Sequence, residues 1–152
     1  MGALVWHHWG RLLAITSAVY MIWASFWAFL YRKFFWDMVG GTLSPAGLIP
    51  GKNTQPLVKI VVDIPLLQIF TLILSLFALA LEMPMPQLAD TALHRSIVFR
   101  IVLYIIAGFV GIMVYQTVDC AVYFVITAIV YGIAMKKGEN IRSGGQLKLG
   151  EA

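Results

Sequence analysis

Four long apolar stretches, residues 12–31, 64–81, 101–118 and 120–135, fill about half of this 152-residue chain, and its ionisable residues collect at their edges. Roughly 20 apolar residues is the length a helix needs to cross a hydrocarbon layer about 30 Å thick. One helix that is apolar all round can hide inside a soluble fold of this size. Four leave an outer surface that water penalises and lipid accepts. With 61% hydrophobic and 12% charged residues, the chain has about half the charge of an ordinary soluble domain. The expected fold is an all-α membrane protein: four transmembrane helices in a compact bundle, with an amphipathic, interfacial segment after the first helix.

The expected organisation is an interfacial N-terminus at 1–11 and a single transmembrane domain at 12–137, followed by a mobile polar tail at 138–152. Spans are expected at about 12–31, 60–81, 97–117 and 119–136, with a loop at 32–59 whose part 33–41 lies in the interface. The first stretch is too long for the apolar region of a cleaved signal peptide and lacks a small-residue cleavage site, so it is expected to persist as a signal anchor. Four spans put both termini on one side. Arg11, Arg95, Arg100, Lys136, Lys137, Arg142 and Lys148 then share that side, against Arg32, Lys33, Lys52 and Lys59 opposite, seven to four. Basic residues favour the cytoplasmic face, so both termini are expected there, in the plasma membrane or an endomembrane. The lone Cys120 excludes an intrachain disulfide and a paired-cysteine metal site. Because the net charge of +4 sits at span ends and in the tail, it is not read as a nucleic-acid footprint.

Small and polar residues recur at helical spacing inside the spans. Ala14 with Ala18, Ala24 with Ala28, Ala107 with Gly111, and Ala128 with Gly132 stand four apart, and such pairs let helix backbones approach closely. Gln68, Thr71 and Ser75 fall on one stripe of the second span, which is expected to face other helices, since an unpaired amide in lipid is expensive. The short turn at 116–119 implies an antiparallel hairpin of spans 3 and 4. Asp119 is the expected cap of span 4, and Asp90 or Thr91 that of span 3.

Other residues suit the interface or a partner. Trp6 and Trp9 precede span 1, and Arg32, Lys33, Phe34, Phe35, Trp36 and Asp37 follow it, too apolar for a free loop. Arg100 stands about one turn inside an apolar run. It either snorkels to phosphates or forms a buried pair with Glu82 or with a partner protein.

The opening Trp6-His7, the run 11–20, Tyr31 to Asp37 with Val39 to Thr42, Pro65 to Ile69, His94-Arg95-Ser96 and Tyr115-Gln116 together resemble a family of small fungal four-span membrane proteins of unknown function. The resemblance covers most of residues 4–137. It implies a membrane bundle and no activity, cofactor or catalytic residue.

The residues favour a non-catalytic accessory or stabilising subunit of a larger membrane protein complex. The alternative is a small channel or transporter component acting as an oligomer. An enzyme is disfavoured, because His94 falls on one membrane face while Asp63, Asp119 and Cys120 fall near the other, about 30 Å away. No cofactor is expected, although a bound lipid is compatible. The expected partners are membrane lipids and a larger integral membrane protein or further copies of the chain, and not nucleic acid.

Overall fold

The computed structural model describes residues 5–31, 56, 59–83 and 96–139. They form α1 (Trp6–Leu30), a π-helical turn (Lys59–Asp63), α2 (Leu66–Glu82), α3 (Ile97–Ile112), a 3-10 turn (Tyr115–Thr117) and α4 (Val118–Lys136). The segment expected in the interface, 33–41, and the residues beyond Glu139 lie outside the described residues.

Local chemistry sets several boundaries away from the apolar pattern. Nothing from Trp6 to Arg11 breaks a helix, so α1 begins six residues before the expected span and runs for 25 residues. Pro65 occupies the cap position of α2. Its ring removes a donor and disfavours helix at the preceding residue, so the expected continuous span from 60 becomes a π turn, a break and a 17-residue helix. Ser96 caps α3, its Oγ accepting from the Phe99 N–H at 3.1 Å. Asp90 and Thr91, expected in that role, lie outside the described residues. α3 stops at Ile112 rather than 117, and the Thr117 hydroxyl folds back to donate to the Gly111 carbonyl at 2.7 Å. Asp119 does not cap α4. The cap residue is Thr117, and Asp119 sits in the first turn, where its charge meets the helix dipole.

α1 packs between α2 and α4, and α3 lies against α4 and, less extensively, α2. The start of α1, the end of α2, the start of α3 and the end of α4 share one end of the bundle. At the other end the Gln116 side chain donates to the Tyr31 carbonyl. The helices approach closely because their inner faces are small. Ala14, Ala18, Ala28, Ala78, Ala107, Ala121 and Ala134 are fully buried, and Ala24 and Ala128 nearly so. A Cβ on Gly108 would stand 3.1 Å from Val125 Cγ2 and 3.3 Å from the Ala121 carbonyl oxygen. One on Gly111 would stand 2.6 Å from Met21 Cε and 3.0 Å from Ala121 Cβ. Gly132 departs from the expected close pair with Ala128, because the space beside it is open and an added Cβ meets nothing within 4 Å.

Polar side chains are buried beside the apolar core, while many large apolar side chains are exposed. Ser17, Ser25, Gln68, Thr71, Ser75, Glu82, Arg100, Thr117 and Thr127 are buried. Meanwhile Leu30, Phe109 and Trp23 are 73%, 68% and 61% exposed, with many further aliphatic and aromatic side chains around them. α1 and the element Tyr115–Lys136 are long and apolar enough to cross a membrane, whereas Leu66–Glu82 and Ile97–Ile112 are shorter apolar helices.

The glycines give a paired prediction for thermal unfolding. Gly132→Ala should raise stability by about 0.5–1 kcal/mol, because alanine lowers the entropy lost on helix formation and meets no obstacle. Gly111→Leu should lower stability by about 1–3 kcal/mol through overpacking against Met21 and Ala121.

Candidate functional site

The densest polar chemistry lies where the four helix ends meet. Glu82 closes α2, and its side chain is 1% exposed. A carboxylate so far from water needs strong donors, and three converge on Oε1. These are the Arg100 guanidinium, the Tyr104 hydroxyl, and the Tyr131 hydroxyl at 2.8 Å. Arg100 and Tyr104 stand four apart on α3, so one helix face delivers both. Tyr131 reaches in from α4, and its ring lies under the Arg100 guanidinium at 5.8 Å. Tyr104 in turn stacks on Phe124 at 5.6 Å.

The same cations finish a helix. The last carbonyls of α2 have no partner within their own helix. Arg100 Nη2 donates to the Leu81 carbonyl at 3.3 Å, and Arg11 Nε to that of Glu82 at 3.0 Å. Two positive groups at a helix C-terminus also complement its dipole. Gly10 makes room beside Arg11, since a Cβ there would stand 3.1 Å from the Tyr131 ring. Snorkelling, one of the two expectations for Arg100, does not occur. Its side chain is 2% exposed because the buried Glu82 charge holds it inside.

A second contact ties the chain ends together. Gly138, at φ +70°, terminates α4 in a Schellman turn: Gly138 N–H donates to the Met135 carbonyl and Glu139 N–H to that of Ala134. This turn aims the Glu139 carboxylate at the start of α1, where Val5 supplies no side-chain cap. Oε1 accepts from the Trp6 N–H at 3.1 Å and Oε2 from the His7 N–H at 2.8 Å, with His7 Nδ1 3.0 Å away. Burial pushes the Glu139 carboxyl up. The His7 and Trp6 N–H groups and the His7 side chain outweigh that and hold it below its ordinary value. Gly138 and Glu139, expected as the start of the tail, are therefore bonded to the bundle.

The other residues singled out from the sequence are distributed as follows. Gln68, Thr71 and Ser75 lie buried on the inner stripe of α2, where Thr71 Oγ1 is 3.1 Å from Ser25 Oγ. Trp6 packs edge-to-face on Trp9 and carries Lys137 Nζ 4.7 Å above its ring, so it ties α1 to α4 instead of standing free. Trp9 is 41% exposed. Arg32, Lys33, Phe34, Phe35, Trp36 and Asp37 lie outside the described residues. Tyr104, Tyr131, Arg11 and Glu139 carry the network without having been singled out. The signal available for the tyrosines was their register: Tyr104 follows Arg100 by four, and Tyr131 follows Ala128 and Phe124 on the small-residue face of α4.

An all-helical bundle, apolar outside and joined at one end by a buried charge network, is thus the class that fold and site define. The chain belongs to a family described as a domain of unknown function (DUF7727), which matches residues 1–139. That match ends at Glu139, which is also the last of the described residues. No curated protein and no solved structure matches the chain.

Two predictions follow the charges. Arg100→Met should destabilise the bundle by about 3–5 kcal/mol because it strands a buried carboxylate. Adding Glu82→Leu should recover part of that loss, the remainder reflecting the Tyr104 and Tyr131 hydroxyls left without their acceptor, as read by thermal unfolding in detergent. Glu139→Ala should cost about 0.5–2 kcal/mol as a lost helix cap. The Glu139 carboxyl is lower in the folded state, so its contribution is present above the ordinary value of 4.5 and vanishes as pH falls through the lower folded value. The melting temperature should therefore fall on acidification through that window, and Glu139→Gln should lack this component.

Proposed function

We propose that all four helices cross a membrane, with both chain termini cytoplasmic, and that the chain is a non-catalytic accessory or stabilising subunit of a larger integral membrane assembly. The observation that carries the reading is the apolar outer surface: leucine, isoleucine, valine and aromatic side chains are exposed along all four helices, while serines, threonines, Gln68, Glu82 and Arg100 are buried. Such a surface is favourable only against lipid or another apolar surface. α2 and α3 alone reach only about 25 Å at 1.5 Å per residue. Counting Lys59–Asp63 with α2 brings it to about 30–35 Å, enough for a bilayer core, and the shorter α3 is accommodated by local thinning of the bilayer.

The accessory role rests on how the interior polarity is used. Hydroxyls of Ser17, Ser25 and Thr127 donate to carbonyls four residues back in their own helices, and Glu82 is ringed by donors. Groups engaged in this way support packing and present nothing for a substrate to displace. The exposed aromatic flank of α1, with Trp23, Phe26, Trp27 and Tyr31, offers a surface for a partner. A second reading, a small channel or transporter component acting as an oligomer, is favoured by one feature: the buried row of Gln68, Thr71, Ser75 and Glu82 along α2.

Affinity purification of the native chain in mild detergent should recover a stoichiometric membrane partner. Reproducible isolation as a lone monomer would overturn the accessory role. Ion or solute flux in liposomes that Gln68→Leu abolishes would establish the second reading in its place.

A further inference from the structure

At the end of the bundle away from Glu82, α1 and the start of α4 enclose an open cavity of about 480 Å³. That size falls within the ~300–1,000 Å³ typical of small-molecule sites. Tyr20, Trp23 and Trp27 of α1 form one side, Tyr115 and Gln116 the other, and Asp119 completes the lining. Trp23 and Trp27 stand with ring centroids 6.1 Å apart at an interplanar angle of 71°, giving two adjacent walls near a right angle. Trp27 is itself held by stacking on Tyr31, with centroids 5.9 Å apart and an interplanar angle of 14°. Among the described residues that line this cavity, Asp119 is the only charged one.

Aromatic rings present negative faces, and a carboxylate beside them adds a full negative charge. A cation that cannot donate hydrogen bonds gains most from such walls, because it loses little hydration on entering and needs no acceptor of fixed direction. We propose that this cavity binds the trimethylammonium group of a choline phospholipid. The proposal rests on the membrane reading, which sets the cavity beside lipid headgroups. On the adjoining flank of α1, Val19, Phe26 and Leu30 are exposed at 50%, 55% and 73% and provide an apolar wall for the acyl chains. The commitment to a lipid over a free headgroup follows from that wall.

The test uses the full chain, purified and delipidated in maltoside detergent, then offered phosphatidylcholine, phosphatidylethanolamine or phosphatidylglycerol, with retained lipid counted by native mass spectrometry. Phosphatidylcholine should be retained preferentially. Asp119→Asn and Trp23→Leu should each weaken its retention about tenfold, the scale of one ion–ring or ion–carboxylate contact. Trp9→Leu, at the far end of the bundle, should leave it unchanged. Equal retention of the three lipids, or full retention by Asp119→Asn, would overturn the proposal. Because Trp23 and Asp119 are exposed, both variants should stay folded, Asp119→Asn losing only its interaction with the helix dipole, and Asp119→Glu should rescue retention whichever way Asp119→Asn affects folding. Competition by soluble phosphocholine as strong as that of the lipid would also overturn it, since the acyl wall would then contribute nothing. A chain that stays monodisperse in detergent-free buffer would instead remove the membrane reading, a result separate from the lipid ranking.

Discussion

A carboxylate shut away from water organises one end of this bundle. An ionised Glu82 with no partner would destabilise the fold by several kcal/mol, so whatever approaches it must bring donors. Three elements do so at once: Arg100 and Tyr104 from α3 and Tyr131 from α4, with Arg11 of α1 on the adjacent carbonyl. Each helix thereby contributes to one site, and no helix can shift along its axis without breaking a charged contact. An all-alanine interface lacks that property. Small side chains permit close approach but tolerate sliding, because one alanine resembles the next. The charge network supplies the register that the small-residue faces leave undetermined.

Glu139 extends the same logic to the chain ends. α1 opens without a side-chain cap of its own, and α4 closes in a turn that only a residue tolerant of positive φ adopts comfortably, here Gly138. The turn carries Glu139 to the exposed N–H groups of α1, so two incomplete helix ends complete each other across 132 positions of sequence. Lys137 over Trp6 reinforces the contact. This end of the bundle is therefore fixed by polar bonds. The end near Tyr31 and Tyr115 keeps an open aromatic cavity.

The sequence displayed these features unevenly, for physical reasons. Helical spacing of Ala14, Ala18, Ala24 and Ala28 marks the face of α1 that is buried, since apolar helices differ by size from face to face even when they do not differ by polarity. Spacing alone misleads at Gly132, where the same pattern faces open space, because it cannot tell whether a neighbouring helix reaches that far. Arg100 stood out as a charge inside an apolar run, and pairing with Glu82 was one of its two readings. Tyr104 and Tyr131 did not stand out, since a tyrosine in such a helix is equally suited to an interfacial belt. Glu139 was hidden completely: its role depends on two ends meeting, and no local pattern encodes that. Asp119 is the instructive miss. Its position beside a helix start suggested a cap, yet Thr117 takes the cap and leaves the Asp119 carboxylate facing the aromatic cavity.

The contrast between Glu82 and Asp119 bears on where function can reside. Both are acids near helix ends, and each lies beside aromatic side chains. Glu82 is 3% exposed and surrounded by donors from its own chain, so a ligand would have to displace an arginine and two tyrosines to reach it. Asp119 is exposed, and it shares the lining of an open cavity with Tyr20, Trp23, Trp27 and Tyr115. An acid that its own chain has already neutralised contributes to stability. One left beside aromatic walls retains electrostatic attraction for something from outside. The charge network and the proposed lipid site thus lie at opposite ends of the bundle. A substitution at one end should then leave the other intact, as additivity predicts for sites that share no partner.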